Sequence, residues 1–263
     1  MEQAERPVLL TIERAVAIVT LNRPCVLNAI DVDMARAFRD AIDSIDANGR
    51  VRSILLRGEG RAFCAGGDVS AFSTDNPAAA AEAIIDYLHE ALTTLADIPV
   101  PSIAAVQGAA AGAGFSLALA CDLAIAADDA VFSLAFARIG ASPDSSSTYW
   151  LPRLVGARKA LELALLADPI DADEAMRIGL VNNVVPAATL QRSALALAER
   201  LSRGPTGAYG RTKALLRQSL SSSLVAQLDR ERDAFLQSAQ SIDFAEGVAA
   251  FLAKRSPRFE GSR

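Results

Sequence analysis

Two glycine-bearing bends and one carboxylate are the groups in this sequence best suited to chemistry. The first bend reads Phe63-Cys64-Ala65-Gly66-Gly67-Asp68 and the second Gly108-Ala109-Ala110-Ala111-Gly112-Ala113-Gly114. Each places glycine directly after a run that reads as a buried strand, and the second opens an apolar helix expected from about Gly114 to Cys121. The N–H groups at a helix start, with the positive end of its dipole, favour a developing negative charge. Two separate backbone donors aimed at one oxygen are what an acyl-transfer or enolate-forming enzyme needs. The carboxylate is Asp144, in Ile139-Gly140-Ala141-Ser142-Pro143-Asp144. By its neighbours alone it reads as the cap of the helix that Pro-Asp-Ser would begin.

Other reactive residues offer less. His89 is the one histidine; it sits between Leu88 and Glu90 on an expected helix, and nothing in the sequence pairs it with a nucleophile. One histidine removes most metal sites and leaves a Ser-His-Asp or Cys-His device dependent on that residue. No metal is expected. Cys25, Cys64 and Cys121 are odd in number, without metal-like spacing, and are expected as reduced thiols. Cys64 reads as a small buried filler rather than a nucleophile. Asp68 is expected to organise its loop, Asp122 to hydrogen-bond locally, and Arg138 and Arg153 to serve the fold or an interface.

These groups need a scaffold. The chain has 263 residues, 51% of them hydrophobic, enough for one large domain, or a domain with an appendage, around a sizeable core. A net charge of -5 argues against a nucleic-acid partner, and the helix over 34–45 sets Arg36 and Arg39 against Asp40 and Asp43. Met1 to Arg6 is polar and no export leader follows, so a cytoplasmic location is expected. The run from Ser102 to Cys121 carries no charged side chain and is long enough to span a bilayer. Gly108, Gly112 and Gly114 interrupt it, so strand, turn and buried helix are expected instead, with no membrane partner.

Apolar spacing predicts a hairpin (8–13 and 16–21), a helix capped by Asp31 or Asp33, and a strand over 51–57. It predicts a helix over 78–96 and a strand over 102–106. Past a polar segment at 145–148 and the stretch 149–156, helices are expected at 157–166 and 171–178 and a short strand at 181–185. Helices alone follow, at 190–202, 206–220, 224–237 and 245–254. This is an α/β core over 1–190 with a helical region over 191–263.

Together with Leu21-Asn22-Arg23-Pro24 and Asn28-Ala29, the two bends resemble the enoyl-CoA hydratase/isomerase (crotonase) family, from about Thr11 to Arg255. Four matching segments in the right order carry the resemblance. It implies an α/β fold with a crotonase-like ββα spiral core and a C-terminal helical trimerisation region, assembled as a homotrimer or as a homohexamer of two trimers. It implies acyl-CoA thioester substrates, with coenzyme A part of the substrate and no separate cofactor. The thioester oxygen would lie between the backbone N–H groups of Gly67 and Ala113. Substrate contacts would come from Ala65, Asp68, Val69, Ser70 and Gly112, and from Cys25, Val26 and Leu27 at a strand end. Position 25 is often lysine in relatives, so Cys25 would weaken a phosphate or pantetheine contact. Phe251 and Lys254, on the last helix, match residues that reach a CoA bound mainly by another subunit, although Lys254 also reads as a solvated helix-end cation.

Hydratases of the family use two glutamates, and those positions hold Ser116 and Phe136 here. Water addition needs a base to position the water and an acid to protonate Cα, and neither residue supplies one. Ser116 would bind a water or substrate group, or satisfy a helix carbonyl. Asp144, followed by Leu151-Pro152-Arg153-Leu154-Val155-Gly156, resembles instead the isomerase branch, which includes Δ3,Δ2-enoyl-CoA isomerases and the ring-1,2-epoxyphenylacetyl-CoA isomerase. There one acidic residue moves a proton between carbons of a CoA-bound enolate. Phe136 and Ala110 would line that pocket and keep water out. Relatives commonly carry glycines after this acid; Ser145-Ser146-Ser147 would narrow the pocket or add hydrogen bonds. The expectation is an isomerase, with a hydratase of non-standard acid/base set and a non-catalytic acyl-CoA-binding paralogue as its alternatives.

Overall fold

Strand β1 (Val8–Glu13) turns through Arg14, whose φ is 58°, into antiparallel β2 (Val16–Leu21). All six residues of β2 are buried, as expected of a strand covered on both faces. The structure, a computed structural model, describes residues 6–261. Apart from Arg6, the polar start from which no leader is expected lies outside the described residues.

The remaining strands are β3 (Ser53–Gly58), β4 (Ser102–Val106), β5 (Ala109–Ala111), β6 (Leu123–Ala127), β7 (Val131–Ser133), β8 (Ile170–Asp171) and β9 (Asn183–Val185). The helices are α1 (Val32–Asp46), α2 (Pro77–Asp97), α3 (Ala113–Ala120), α4 (Ser147–Val155), α5 (Ala157–Leu166), α6 (Ala172–Arg177), α7 (Leu190–Ser202), α8 (Thr206–Ser219), α9 (Leu224–Ala239) and α10 (Ile242–Leu252). A six-stranded sheet runs β1-β2-β3-β4-β6-β9, parallel after the hairpin, and a smaller one runs β5-β7-β8.

Asp31 caps α1 by accepting from the Met34 N–H, and Asn76 caps α2 ahead of Pro77. Phe38 and Ile42 of α1 pack with Leu88 and Leu92 of α2 over one side of the sheet. On the other side Leu190, Ala194 and Ala198 of α7 meet Ile18, Leu55 and Ile103. The sheet is therefore covered on its second face by α7, which begins at Leu190.

The uncharged run from Ser102 resolves into β4, β5 and α3, and α3 is only eight residues long with all of them buried. No helix among the described residues is long and apolar enough to cross a membrane. Several expectations are corrected. The segment Pro24–Val26 is a 3-10 turn, not a strand end, because Leu27 and Asn28 both take left-handed φ values (55° and 57°). The strand expected over 51–57 runs Ser53–Gly58, and the last helix begins at Ile242, where Ser241 accepts from the Phe244 N–H. Lys254 falls beyond that helix.

Candidate active site

The two bends lie side by side because backbone hydrogen bonds stitch them together. Phe63 N–H donates to Gln107 O, Cys64 N–H to Ala109 O, and Ala111 N–H to Cys64 O. Asn28, fully buried, holds the first bend from behind: its amide donates to the carbonyls of Glu59, Ala62 and Phe63. Arg23 donates to Ala29 O and ion-pairs with Asp31 at 3.0 Å and Asp68 at 3.4 Å. The Asn-Arg-Pro and Asn-Ala segments thus brace the bend. Asp68 organises the following turn through Ser70. The Ser70 hydroxyl, with help from Arg23, holds the Asp68 carboxyl below its ordinary value.

Several of the glycines are required by geometry. Gly66 has φ of +99°, and a Cβ there would sit 2.8 Å from Ala111 O and 3.5 Å from Ala113 N, so the bends touch at this point. Gly112, at φ 50° and ψ −123°, takes a conformation that essentially only glycine adopts. The left-handed turn of the first bend is carried by Gly66, not by Gly67. A Cβ on Gly114 would collide with the Cys64 carbonyl, which lets α3 start against the first bend.

Carbonyls of Leu27, Ile30, Cys64 and Ser133 occupy the N–H groups of Ala65, Asp68, Ala111 and Gly112. Among the described residues, the N–H groups of Gly67 and Ala113 have no hydrogen-bond partner. Both residues line one cavity of about 800 Å³. Its walls are mostly apolar, with Ile84, Ile85 and Leu88 from α2 facing Phe72, Phe136 and Ile139. Ala65, Val69 and Gly112 also line it. Ala110 does not: it is buried within β5.

Asp144 is the one acidic residue on that wall, among the described residues. Its Oδ1 lies 2.8 Å from His89 Nε2, and its Oδ2 accepts from Ser145 Oγ at 3.2 Å. The carboxylate does not cap α4, which has no side-chain cap; the Asp144 carbonyl instead accepts from Ser147 N–H and Oγ. Ser116 Oγ lies 3.2 Å from Gly112 O and 3.1 Å from Asp144 O, so it satisfies backbone carbonyls and ties the second bend to the Asp144 loop. Ser145 and Ser146 take left-handed φ values of 56° and 69°. Glycines would occupy those positions without strain. Arg138, also on the wall, donates to Ala167 O, and Arg153 stacks 3.6 Å from the centre of the Tyr149 ring.

Some expected contacts lie elsewhere. Cys25 and Val26 are exposed and off the cavity wall, joined to it only through Leu27, whose carbonyl accepts from Ala65 N–H. Asp68 and Ser70 stand behind the wall. Phe251, 83% exposed on α10, lines a separate cleft with Phe244 and Phe259, and Lys254 is exposed beyond it. Burial pushes the Cys64 thiol up to about 12, which leaves it inert as a nucleophile. Asp122 bonds Ser102 and also ion-pairs with Lys213 at 2.9 Å and Arg217 at 3.0 Å on α8. No cluster of three or more metal-ligating residues occurs among the described residues. His89 is the group sequence reasoning missed, because its partner is 55 residues away.

Comparison with known proteins adds to this geometry. A family model described as Enoyl-CoA hydratase/isomerase matches residues 11–262. A Rhodobacter capsulatus protein named probable enoyl-CoA hydratase is 42% identical over 95% of this chain and 96% of its own length. The 1,2-epoxyphenylacetyl-CoA isomerase of Escherichia coli is 38% identical over 97% of this chain and 98% of its own. The crystal structure of an enoyl-CoA hydratase from a Polaromonas species superposes with a TM-score of 0.91 at 36% identity, covering 96% and 99% of the two chains.

Proposed function

The chain belongs to the enoyl-CoA hydratase/isomerase family of acyl-CoA enzymes, with the crotonase fold, and from that premise we propose that it shifts a double bond within a CoA-bound acyl group. The thioester oxygen accepts hydrogen bonds from Gly67 and Ala113, and the N-terminus of α3 adds its dipole. Asp144 takes the proton from C2 of a 3-enoyl-CoA. The electron pair moves into the thioester as a dienolate, whose oxygen the two N–H groups stabilise. The protonated Asp144 then returns the proton to C4, leaving the double bond between C2 and C3. A single donor of this kind is worth about 10²–10³ in rate.

One observation carries the reading: a single carboxylate shares an apolar cavity with two unpartnered N–H groups. Hydration needs a second proton-carrying group on the water. Ser116 is committed to two carbonyls and Phe136 carries no proton to exchange, so proton return by one acid is favoured. The name of the Escherichia coli relative makes a ring-bearing acyl group worth testing beside linear ones.

The exposed apolar side chains Leu216 of α8, Leu220 just after it, and Leu224, Val225 and Phe235 of α9 support assembly into trimers or paired trimers. In that assembly Phe251 and Lys254 meet the CoA of another copy.

The test follows isomerisation of a 3-enoyl-CoA and hydration of a 2-enoyl-CoA separately, in the wild type and in Asp144→Asn. Isomerisation that is lost in the variant is expected. Unchanged isomerisation in Asp144→Asn, or hydration as the main activity, contradicts the reading. Binding of CoA esters without turnover or proton exchange at C2 would make the protein a non-catalytic binder.

A further inference from the structure

The loop that carries Asp144 is held by its backbone, through the Asp144 carbonyl on Ser116 and Ser147, and not by the carboxylate. It runs from Gly140, at φ 71°, to the left-handed pair Ser145 and Ser146, and α4 follows without a side-chain cap. What holds the Asp144 side chain to the rest of the molecule is α2, through His89. Leu88 lines the substrate cavity, but His89 faces the other way, into a neighbouring cleft of about 540 Å³. It therefore approaches the carboxylate from that cleft and does not line the cavity itself. An ionised carboxylate only accepts hydrogen bonds, so the proton of this pair sits on His89 Nε2.

Most of the charges near this pair have partners of their own. Glu90, next on α2, is held by Arg39 at 2.9 Å. Asp97, Tyr149, Lys213 and Arg217 line the same cleft as His89, and Asp122 engages both cations. Among the described residues Asp144 is the one hydrogen-bond partner of the imidazole.

We propose that His89 is a positioning residue: its Nε2–H pins Oδ1 of Asp144 to α2 while Ser145 Oγ holds Oδ2, fixing the plane of the carboxylate over the reacting carbons. The proposal rests on Asp144 being the acid/base. The physical ground is that a base misplaced by about 1 Å costs ~10²-fold in rate, and a carboxylate with one oxygen released can rotate by that much. The Gly67 and Ala113 donors and the rest of the wall do not depend on His89, so binding is preserved when it is removed.

The test uses the full-length protein without a histidine tag, so that His89 is its sole histidine. His89→Leu is expected to lower kcat by ~10- to 100-fold on a 3-enoyl-CoA while KM changes by less than about 3-fold. His89→Gln, which keeps a side-chain N–H donor, is expected to recover kcat to within about 3-fold of wild type. In protein labelled with ¹⁵N-histidine, the imidazole nitrogen signals are expected to move in Asp144→Asn, a readout independent of turnover and of the stability of the His89 variants. Wild-type kcat in His89→Leu, equal losses in His89→Leu and His89→Gln, or superimposable imidazole signals in wild type and Asp144→Asn would each overturn the proposal. Wild-type turnover in Asp144→Asn overturns the acid/base reading itself, and the positioning role with it. Loss of turnover in Asp144→Asn beside wild-type turnover in His89→Leu overturns the positioning role alone.

Discussion

Nε2 of His89 lies 2.8 Å from Oδ1 of Asp144, joining α2 to the loop before α4 across 55 residues of sequence. The contact sets the side chain of the one carboxylate on the cavity wall from an element that also supplies Ile84, Ile85 and Leu88 to that wall. In the proposed reaction, the proton carrier and the acyl lining are thereby tied to the same helix.

The contact between the two bends is the most sensitive feature of the N–H pair. In Gly66→Ala the new Cβ meets Ala111 O at 2.8 Å and the residue must hold φ of +99°. A stability loss of about 1–3 kcal/mol in urea titration is expected from the backbone conformation. Displacement of one donor is expected to lower kcat by about 10²-fold. Activity within 2-fold of wild type, about 0.4 kcal/mol, would mean that the bends need not touch.

Thiol chemistry separates the three cysteines. Burial raises Cys64 and Cys121 to about 12, whereas Cys25 is exposed. A disulfide reagent at pH 8 is expected to titrate Cys25 rapidly in the native protein and the other two only after unfolding. Fast labelling of Cys64 would show that the first bend opens to solvent.

Ser146 combines a φ of 69° with a buried hydroxyl that has no hydrogen-bond partner. Ser146→Gly removes both penalties, offset in part by the greater entropy of the unfolded chain. A gain of about 1 kcal/mol in chemical denaturation is expected. A loss of stability would show that the hydroxyl makes an interaction worth more than the strain.

Glu246 anchors the C-terminal segment: Arg255, and then the Arg258 N–H, bring its carboxyl down from 4.5 to about 2. A folded-state value below the unfolded one gives stability that is fully present above pH 4.5 and lost as pH falls towards 2. The difference in thermal midpoint between wild type and Glu246→Gln is therefore expected to shrink across that window. A constant difference between pH 5 and pH 2 would remove the ion pair as its cause.

Much of the scaffold was legible because local signals agreed. Asp31 before Met34 and the glycines around Ala113 each mark an element by a mechanism written in one short stretch, whereas the cap at Asn76 went unread because Pro77 looked like part of the loop before it. The run Leu123–Ala127 was not assigned because a short apolar segment has the same composition whether strand or helix. Helix α4 was hidden by Pro152 inside it and by a start at Ser147 that no side chain caps. Glycine placement marked the two bends as backbone-donor turns, while the choice of Gly67 and Ala113 as the donors came from the family resemblance. The His89 pairing was not legible, since no periodicity links positions 55 apart, and neither was the bracing by Arg23 and Asn28, which depends on carbonyls brought together only in the fold.

The most direct measurement is a crystal structure with a bound acyl-CoA. The account predicts the thioester oxygen about 2.7–3.1 Å from both Gly67 N and Ala113 N, with the Asp144 carboxylate against C2 to C4 of the acyl chain. A thioester oxygen turned away from either N–H group, or an acyl chain that bypasses Asp144, would contradict it.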